Sequence, residues 1–324
     1  PPEEVFVEGK GAYLFTEDGS RYLDFIAGIA VTALGHAHPA LVDALRDQAG
    51  KLWHTSNMFR VPAAEHLADK ICRDTFADRV FFTNSGTEAI ECAIKSARKY
   101  HWANGREERI DIITFTGAFH GRSIGAINAG GNPKYLEGFG PALPGFVHLE
   151  WGDHDALKEA AARPTAAAVL VEPVQGEGGV RAMPDQCLTT EACAEHMQPG
   201  SHGSTYGGNP LAMAVGNVVW DMIANEDFLA EVRRVSGTLA QGLKSLADSH
   251  PDKVDGVTGK GLLTGLKIKA DPKGLQGMCR ENNLLVGVAG ANVLRLAPPL
   301  VITDEHVREA TGILDAALTE WQPA

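Results

Sequence analysis

The sequence predicts an α/β protein, a mostly parallel sheet with helices on both faces joined to a smaller α+β domain. Three observations predict it. The middle of the chain alternates short apolar runs with helical patterns, the arrangement that βαβ units require. A long apolar helix follows, with Pro210 in its first turn, where the missing N–H costs nothing. The last hundred residues then mix strand-like runs with helices and end on an amphipathic segment from Asp304.

The opening stretch GAYLFTEDGSRYLDF alternates apolar and polar residues about Asp18-Gly19, a hairpin signal. GIAVTALGHAHP after it is glycine-punctuated and reads as a loop, and an amphipathic helix is expected from Pro39 to Leu52. Val80–Thr83 reads as a strand leading into a turn and the helix EAIECAIKSARKYH. DIITF, FVHLEW and AAVLVEPV supply further strands. A second long helix is expected from Phe228 to Ser249, and GLLTGLKIK, LLVGV and NVLRLAPPL read as strands of the smaller domain. The expected division is 1–38 and 226–324 for the small domain and 39–225 for the large one.

Composition narrows the function. The chain has 324 residues, 44% hydrophobic and 22% charged, with a net charge of -12, so it holds no basic excess for nucleic acid or an anionic membrane. No apolar run approaches the ~18 residues that a membrane span needs. Five cysteines (Cys72, Cys92, Cys187, Cys193, Cys279) form no C-x-x-C pair, which disfavours zinc and a disulfide framework and fits a reducing cytoplasm. His36 and His38 lack a carboxylate or thiolate partner at ligand spacing, so no metal site is expected. The chain has neither a G-x-S-x-G elbow nor a G-x-G-x-x-G turn after a strand.

Four motifs carry chemistry. In VFFTNSGTEAIECAIK an apolar strand runs into Asn84-Ser85-Gly86-Thr87 at a helix start. Such a turn offers free N–H groups and the positive helix end to a phosphate, although Ser85 or Thr87 could equally serve as a plain N-cap. TFTGAFHGRSIGA sets Phe119 and Arg122 three residues apart among glycines, suiting a flat ring beside an anion; a buried Phe and a solvated Arg is the simpler alternative. VLVEPVQGEGGVRAMP places Glu177 in a glycine-rich loop, and LRLAPPLVIT places Arg295 on an apolar strand. HGSTYGGNPLA sets Ser204 and Thr205 ahead of the Pro210 helix, a loop that also suits capping.

Together these strings resemble the class III aminotransferases, pyridoxal 5′-phosphate (PLP) enzymes of fold type I, and most closely their acetylornithine branch. The resemblance runs over nearly the whole chain. It implies that Ser85, Gly86 and Thr87 hold the cofactor phosphate, that Phe119 covers its ring, and that His120 lies near it. It implies that Arg122 binds a substrate carboxylate and that Arg295 binds the α-carboxylate of glutamate, with Glu177 covering Arg295 when the other substrate enters. It implies a homodimer whose active site is shared, with Thr205 touching the partner's cofactor phosphate and Ser204 near substrate. The implied reaction moves the δ-amino group of N2-acetyl-L-ornithine to 2-oxoglutarate, giving glutamate, in arginine biosynthesis. Ornithine, succinylornithine, succinyldiaminopimelate and 4-aminobutyrate aminotransferases share most of these residues.

One departure stands out. The family carries a Schiff-base lysine and a ring-nitrogen aspartate between the Q-G-E-G-G and H-G-S-T segments. Here that interval is VRAMPDQCLTTEACAEHMQPGS, without a lysine, and its two halves resemble separate family segments joined near Leu188-Thr189. Three accounts are open: a longer protein from which this chain omits a block, a true deletion that leaves a non-catalytic binding protein, or a substitute lysine. Lys95, Lys260 and Lys267 have no motif to recommend them. A deletion would bare the apolar edges of a parallel sheet, so an omitted block is the expected account. Intact-protein mass spectrometry decides: a mass well above 34.5 kDa is expected, and a mass near 34.5 kDa contradicts it.

Overall fold

The computed structural model describes residues 4–182 and 203–323, and the junction at Leu188-Thr189 lies outside them. The chain forms two compact units, one of residues Asp47–Gly178 and Met183–Asn217, the other of Pro1–Arg46, Gly179–Ala182 and Val218–Ala324.

In the first unit, strands Phe146–Leu149, Asp111–Phe115 and Ala166–Val169 make a parallel sheet with Asp111–Phe115 in the centre. Side chains alternate across a strand, so Ile112 and Ile113 must face opposite ways. Ile112 packs with Ile94 and Ala97 of the helix Gly86–Ala103. Ile113 packs with Ala160 of the helix His154–Ala161 and with Ala166. Helices therefore cover both faces, as the alternation of apolar runs and helical patterns predicts.

The expected strand Val80–Thr83 joins no sheet among the described residues. An apolar run becomes a strand only where neighbours take up its backbone N–H and C=O groups. Here the only parallel sheet described has the three strands above, and Phe81 remains 50% exposed.

The second unit contains two four-stranded sheets. One runs Phe6–Lys10, Tyr13–Thr16, Arg21–Asp24, Leu284–Leu285; its hairpin turns at Gly19, as the Asp18-Gly19 signal predicts. The other runs Gly287–Ala289, Val293–Leu296, Leu263–Ile268, Val254–Lys260. Its core gathers Leu239 and Leu243 from the helix Glu226–Ser249 and Leu314 and Leu318 from the helix Asp304–Glu320, with Leu266, Leu294 and Leu296 from the sheet. The Lys253 ammonium is buried at the end of the last helix, donating to the Leu318 carbonyl at 2.6 Å and the Thr319 carbonyl at 3.3 Å. A cation there satisfies carbonyls that have no intrahelical partner.

The predicted loop GIAVTALGHAHP contains an unexpected element. Ala27, Gly28, Ile29 and Ala30 all have positive φ, at 49°, 63°, 66° and 59°, so the chain makes one left-handed turn. Only glycine adopts this backbone freely, and a β-branched residue least of all. The turn is held from outside. Buried Asp24 accepts the N–H groups of Ile26 and Ala27 through Oδ1 and meets His36 Nε2 at 2.7 Å through Oδ2. The His36 backbone exchanges two hydrogen bonds with Gly11. Ile29 is 64% exposed, so its side chain contributes little burial to offset the strain. Replacing Ile29 with glycine relieves a steric cost of about 1–2 kcal/mol and adds unfolded-state entropy worth about 0.5–1 kcal/mol. Urea unfolding of Ile29→Gly is therefore expected to show a gain of roughly 0.5–1 kcal/mol; a loss of comparable size contradicts the strain.

Candidate functional site

The helix Gly86–Ala103 starts where the sequence places the phosphate turn. Ser85 is its N-cap: the Ser85 hydroxyl accepts the Glu88 N–H at 3.2 Å. The Glu88 carboxylate reaches back to the Asn84 N–H at 2.6 Å, a near relative of the capping box. Capping and ligand binding are thus compatible here. Ser85 uses one donor of the first turn, and the N–H groups of Gly86 and Thr87 stay outside the intrahelical ladder. A Cβ built on Gly86 meets nothing within 4 Å, so the space beside this turn is open.

The F-H-G-R loop lies against the same turn. Thr87 Oγ1 accepts the Arg122 N–H at 3.4 Å. Gly121, at φ 120°, passes so close that a side chain there would collide with the Thr87 hydroxyl. The Phe119 N–H donates to Glu172 Oε2 at 3.1 Å, which fixes the start of the loop. The Phe119 ring stands edge-on to Tyr135, with centroids 6.1 Å apart at 88°. The exposed Arg122 guanidinium lies over the Tyr135 ring at 4.0 Å and 5.6 Å from the Phe119 ring. Sequence reasoning missed Tyr135, although an aromatic residue in GNPKYLEGFG was a visible signal. Glu172, just ahead of Pro173, thus anchors the loop.

His120 is 4% exposed, and its Nε2 makes no hydrogen bond among the described residues. Burial, helped by nearby His148, pulls its pKa down to about 4, so the imidazole is neutral at physiological pH.

The structure also brings Ser204 to this turn within one chain. Ser204 Oγ accepts from Asn84 Nδ2 at 2.9 Å and from the Gly207 N–H at 3.0 Å. Gly207 presses on the Phe82 carbonyl so closely that only glycine fits. Tyr206 stacks on His54 at 4.5 Å. These residues border a cleft of about 400 Å³ lined by His54–Val61, Val80–Phe82, Ser204 and Gly207–Pro210. Thr205 is exposed, and Glu177 is half-buried.

Arg295 stands in the other unit, in the middle strand pairing of the Gly287–Ala289 sheet. It is 9% exposed, and its Nε lies 3.2 Å from where a Cβ on Gly287 would sit, so that glycine makes room for the guanidinium. Ser85, Gly86, Thr87, Phe119, His120, Arg122 and Ser204 thus belong to one unit, and Arg295 does not.

The phosphate end and one ring face of PLP fit what is present: an open cradle at Gly86, two outward donors, a hydroxyl on Thr87 and the Phe119 ring. The chain holds no lysine between Lys158 and Lys244, the interval in which the resemblance places the Schiff-base lysine. Comparison with known proteins gives the same picture. The family model "Aminotransferase class-III" matches residues 2–192 and 185–318, two stretches that meet at 185–192. Acetylornithine aminotransferase 2 of Caulobacter vibrioides is 45% identical over 97% of this chain and 92% of its own length. That of Rhodobacter capsulatus is 46% identical, over 99% and 96%. The Caulobacter alignment spans 372 positions against a chain of 324 residues, so the relative carries residues that this chain does not. Among solved structures, the ornithine aminotransferase of Toxoplasma gondii, described with partial occupancy of PLP at its active site, superposes with a TM-score of 0.91 at 27% identity, covering 98% of this chain and 90% of the other. N-acetylornithine aminotransferase of Stenotrophomonas maltophilia gives 0.80 at 32% identity, covering 98% and 96%. With its phosphate turn, ring loop and near-complete alignment all in register, this chain belongs to the class III aminotransferase family, whose cofactor is PLP.

Proposed function

We propose that the protein moves the δ-amino group of N2-acetyl-L-ornithine to 2-oxoglutarate, in arginine biosynthesis. The observation that carries this is the set of bacterial relatives at 42–46% identity, acetylornithine aminotransferases across 91–96% of their own length. PLP, when bound, supplies the electron sink that lets an amine carbon lose a proton and stores the amino group between half-reactions. Gly86 and Thr87 hold its phosphate at the helix N-terminus, with Ser85 shaping the turn, and Phe119 covers one ring face. Neutral His120, beside Phe119, lines the cofactor without adding a charge. Arg122, braced on Tyr135, pairs with a substrate carboxylate. Arg295 receives the α-carboxylate of glutamate, and Glu177 covers that guanidinium when the ω-amine is bound, so that a buried cation is never left unpaired. No step at the carbonyl end of the cofactor follows from the residues present.

A homodimer in the cytoplasm completes the proposal. Exposed Met58 and Phe59, at 81% and 67%, line the same cleft as Ser204, and Tyr206 beside it is 59% exposed, an apolar cluster that suits a protein interface. Burying that surface would let Thr205 serve the partner's phosphate. Cys72, Cys92 and Cys279 are unbridged, which suits a reducing compartment.

A second reading, a PLP-fold binding protein without catalysis, is favoured by the lysine-free interval after Lys158. Turnover of N2-acetylornithine, ornithine, succinylornithine, succinyldiaminopimelate and 4-aminobutyrate with 2-oxoglutarate separates the readings. Acetylornithine is expected to give the highest kcat/KM. Activity on none of the five, with no absorbance near 420 nm after PLP addition, supports the binding protein. His120 gives a pH test. Its folded pKa lies below the unfolded value, so the stability it contributes is present above about pH 6.5 and is lost as pH falls toward 4. Unfolding free energy is expected to drop between pH 7 and pH 5 by up to about 2 kcal/mol more than in His120→Gln; equal drops contradict the neutral assignment.

A further inference from the structure

The helix Gly86–Ala103 touches the F-H-G-R loop twice, through side chains four residues apart and therefore on one face. Thr87 makes the first contact, with the Arg122 N–H and the Gly121 backbone. Glu91 makes the second. Its Oε1 accepts the Ser123 hydroxyl in a short hydrogen bond. A Cβ on Gly125 would come within 2.5 Å and 2.7 Å of the two Glu91 carboxylate oxygens, so the backbone there lies directly on the carboxylate. Ser123 in turn is the N-cap of the helix Ile124–Gly130, accepting the Ala126 N–H at 3.4 Å. Phe119 and Arg122 sit between the Glu172 anchor at one end of the loop and the Glu91–Ser123 bond at the other. Among the described residues the Arg122 and Phe119 side chains make ring contacts, with Tyr135 and each other, and no side-chain hydrogen bond that would fix their height above the phosphate turn. A charge-assisted bond from the turn's own helix can do so, because it ties both motifs to one rigid rod.

We propose that Glu91 is a positioning residue: through Ser123 it sets the distance between the phosphate cradle at Gly86-Thr87 and the face of the Phe119 ring. It touches neither cofactor nor substrate. The assignment rests on the reading of the two motifs as a PLP site.

Glu91→Ala, Glu91→Gln and Ser123→Ala in the full chain test it by two measurements. Amide hydrogen exchange over residues 119–125 reads the loop itself. Affinity for pyridoxamine 5′-phosphate, set against affinity for inorganic phosphate, reads the spacing; the amine form needs no lysine to bind. Glu91→Ala and Ser123→Ala are each expected to speed exchange in the loop roughly tenfold, consistent with loss of one charged hydrogen bond. Exchange in the strand Asp111–Phe115 stays unchanged. Pyridoxamine phosphate binding weakens by about tenfold while phosphate binding holds within about twofold. Glu91→Gln keeps an acceptor oxygen for Ser123 and restores most of both. Unchanged exchange in Glu91→Ala overturns the proposal, as does a parallel loss of phosphate and pyridoxamine phosphate, which would mean general support of the helix. A glutamine variant as damaged as the alanine variant also overturns it. Should Glu91→Ala fail to fold, Ser123→Ala removes the same bond from the other side. If the wild-type protein binds pyridoxamine phosphate no better than phosphate, the PLP reading fails, and the exchange measurement still decides the role of Glu91.

Discussion

A helix begins with N–H groups that have no intrahelical acceptor, and the start of Gly86–Ala103 is where the large unit uses them. Ser85 and Glu88 satisfy one donor of the turn and brace Asn84, while Gly86 keeps the approach open. The rest of the site is referred to this rod. The ring loop meets it at Thr87 and Glu91, and Ser204 meets Asn84 just ahead of it. The rod is fixed in turn by Ile94 and Ala97, packed on Ile112 of the central strand. A change in that core would move every element of the site together. A change at Thr87 or Glu91 would move one loop against the others.

The small unit shows a different economy. Its core is a conventional apolar one, yet it carries a left-handed turn at Ala27–Ala30 that no local preference favours. The turn persists because a buried carboxylate, a histidine and a glycine-lined crossing over-determine it: Gly35 at φ 72° approaches Gly11, whose carbonyl oxygen would lie 2.5 Å from an added Cβ. Ile29 within the turn and Val31 just after it stay exposed.

How much of this was legible in the sequence depends on the range of the interaction. The Ser85 cap and the helix after it were legible because a cap acts over three residues. The strand DIITF, with helices on both sides of its sheet, was legible from the alternation of apolar runs and helical patterns along the chain. The strand at Val80–Thr83 was not, since strandedness is decided by neighbours and none pairs with it among the described residues. The left-handed turn was hidden within a glycine-punctuated loop, because Ala and Ile disfavour that backbone and the Asp24 and His36 contacts that hold it act across a fold. Tyr135 is visible as an aromatic residue in GNPKYLEGFG, but its place under Arg122 is not, since nothing in the spacing from 122 to 135 announces a stacked pair. The gap near Leu188 was legible only as a discord between motifs, and the family match broken at 185–192 reports it independently.

The central claim is that Gly86-Thr87 and Phe119 form one preformed cradle for a phosphorylated pyridine ring. A crystal structure of the protein with pyridoxamine 5′-phosphate tests it most directly. The account predicts phosphate oxygens at the Gly86 and Thr87 N–H groups and the ring stacked on Phe119, with the backbone of 84–88 and 117–123 unmoved. Phosphate bound elsewhere, or a ring that lies away from Phe119, would contradict it.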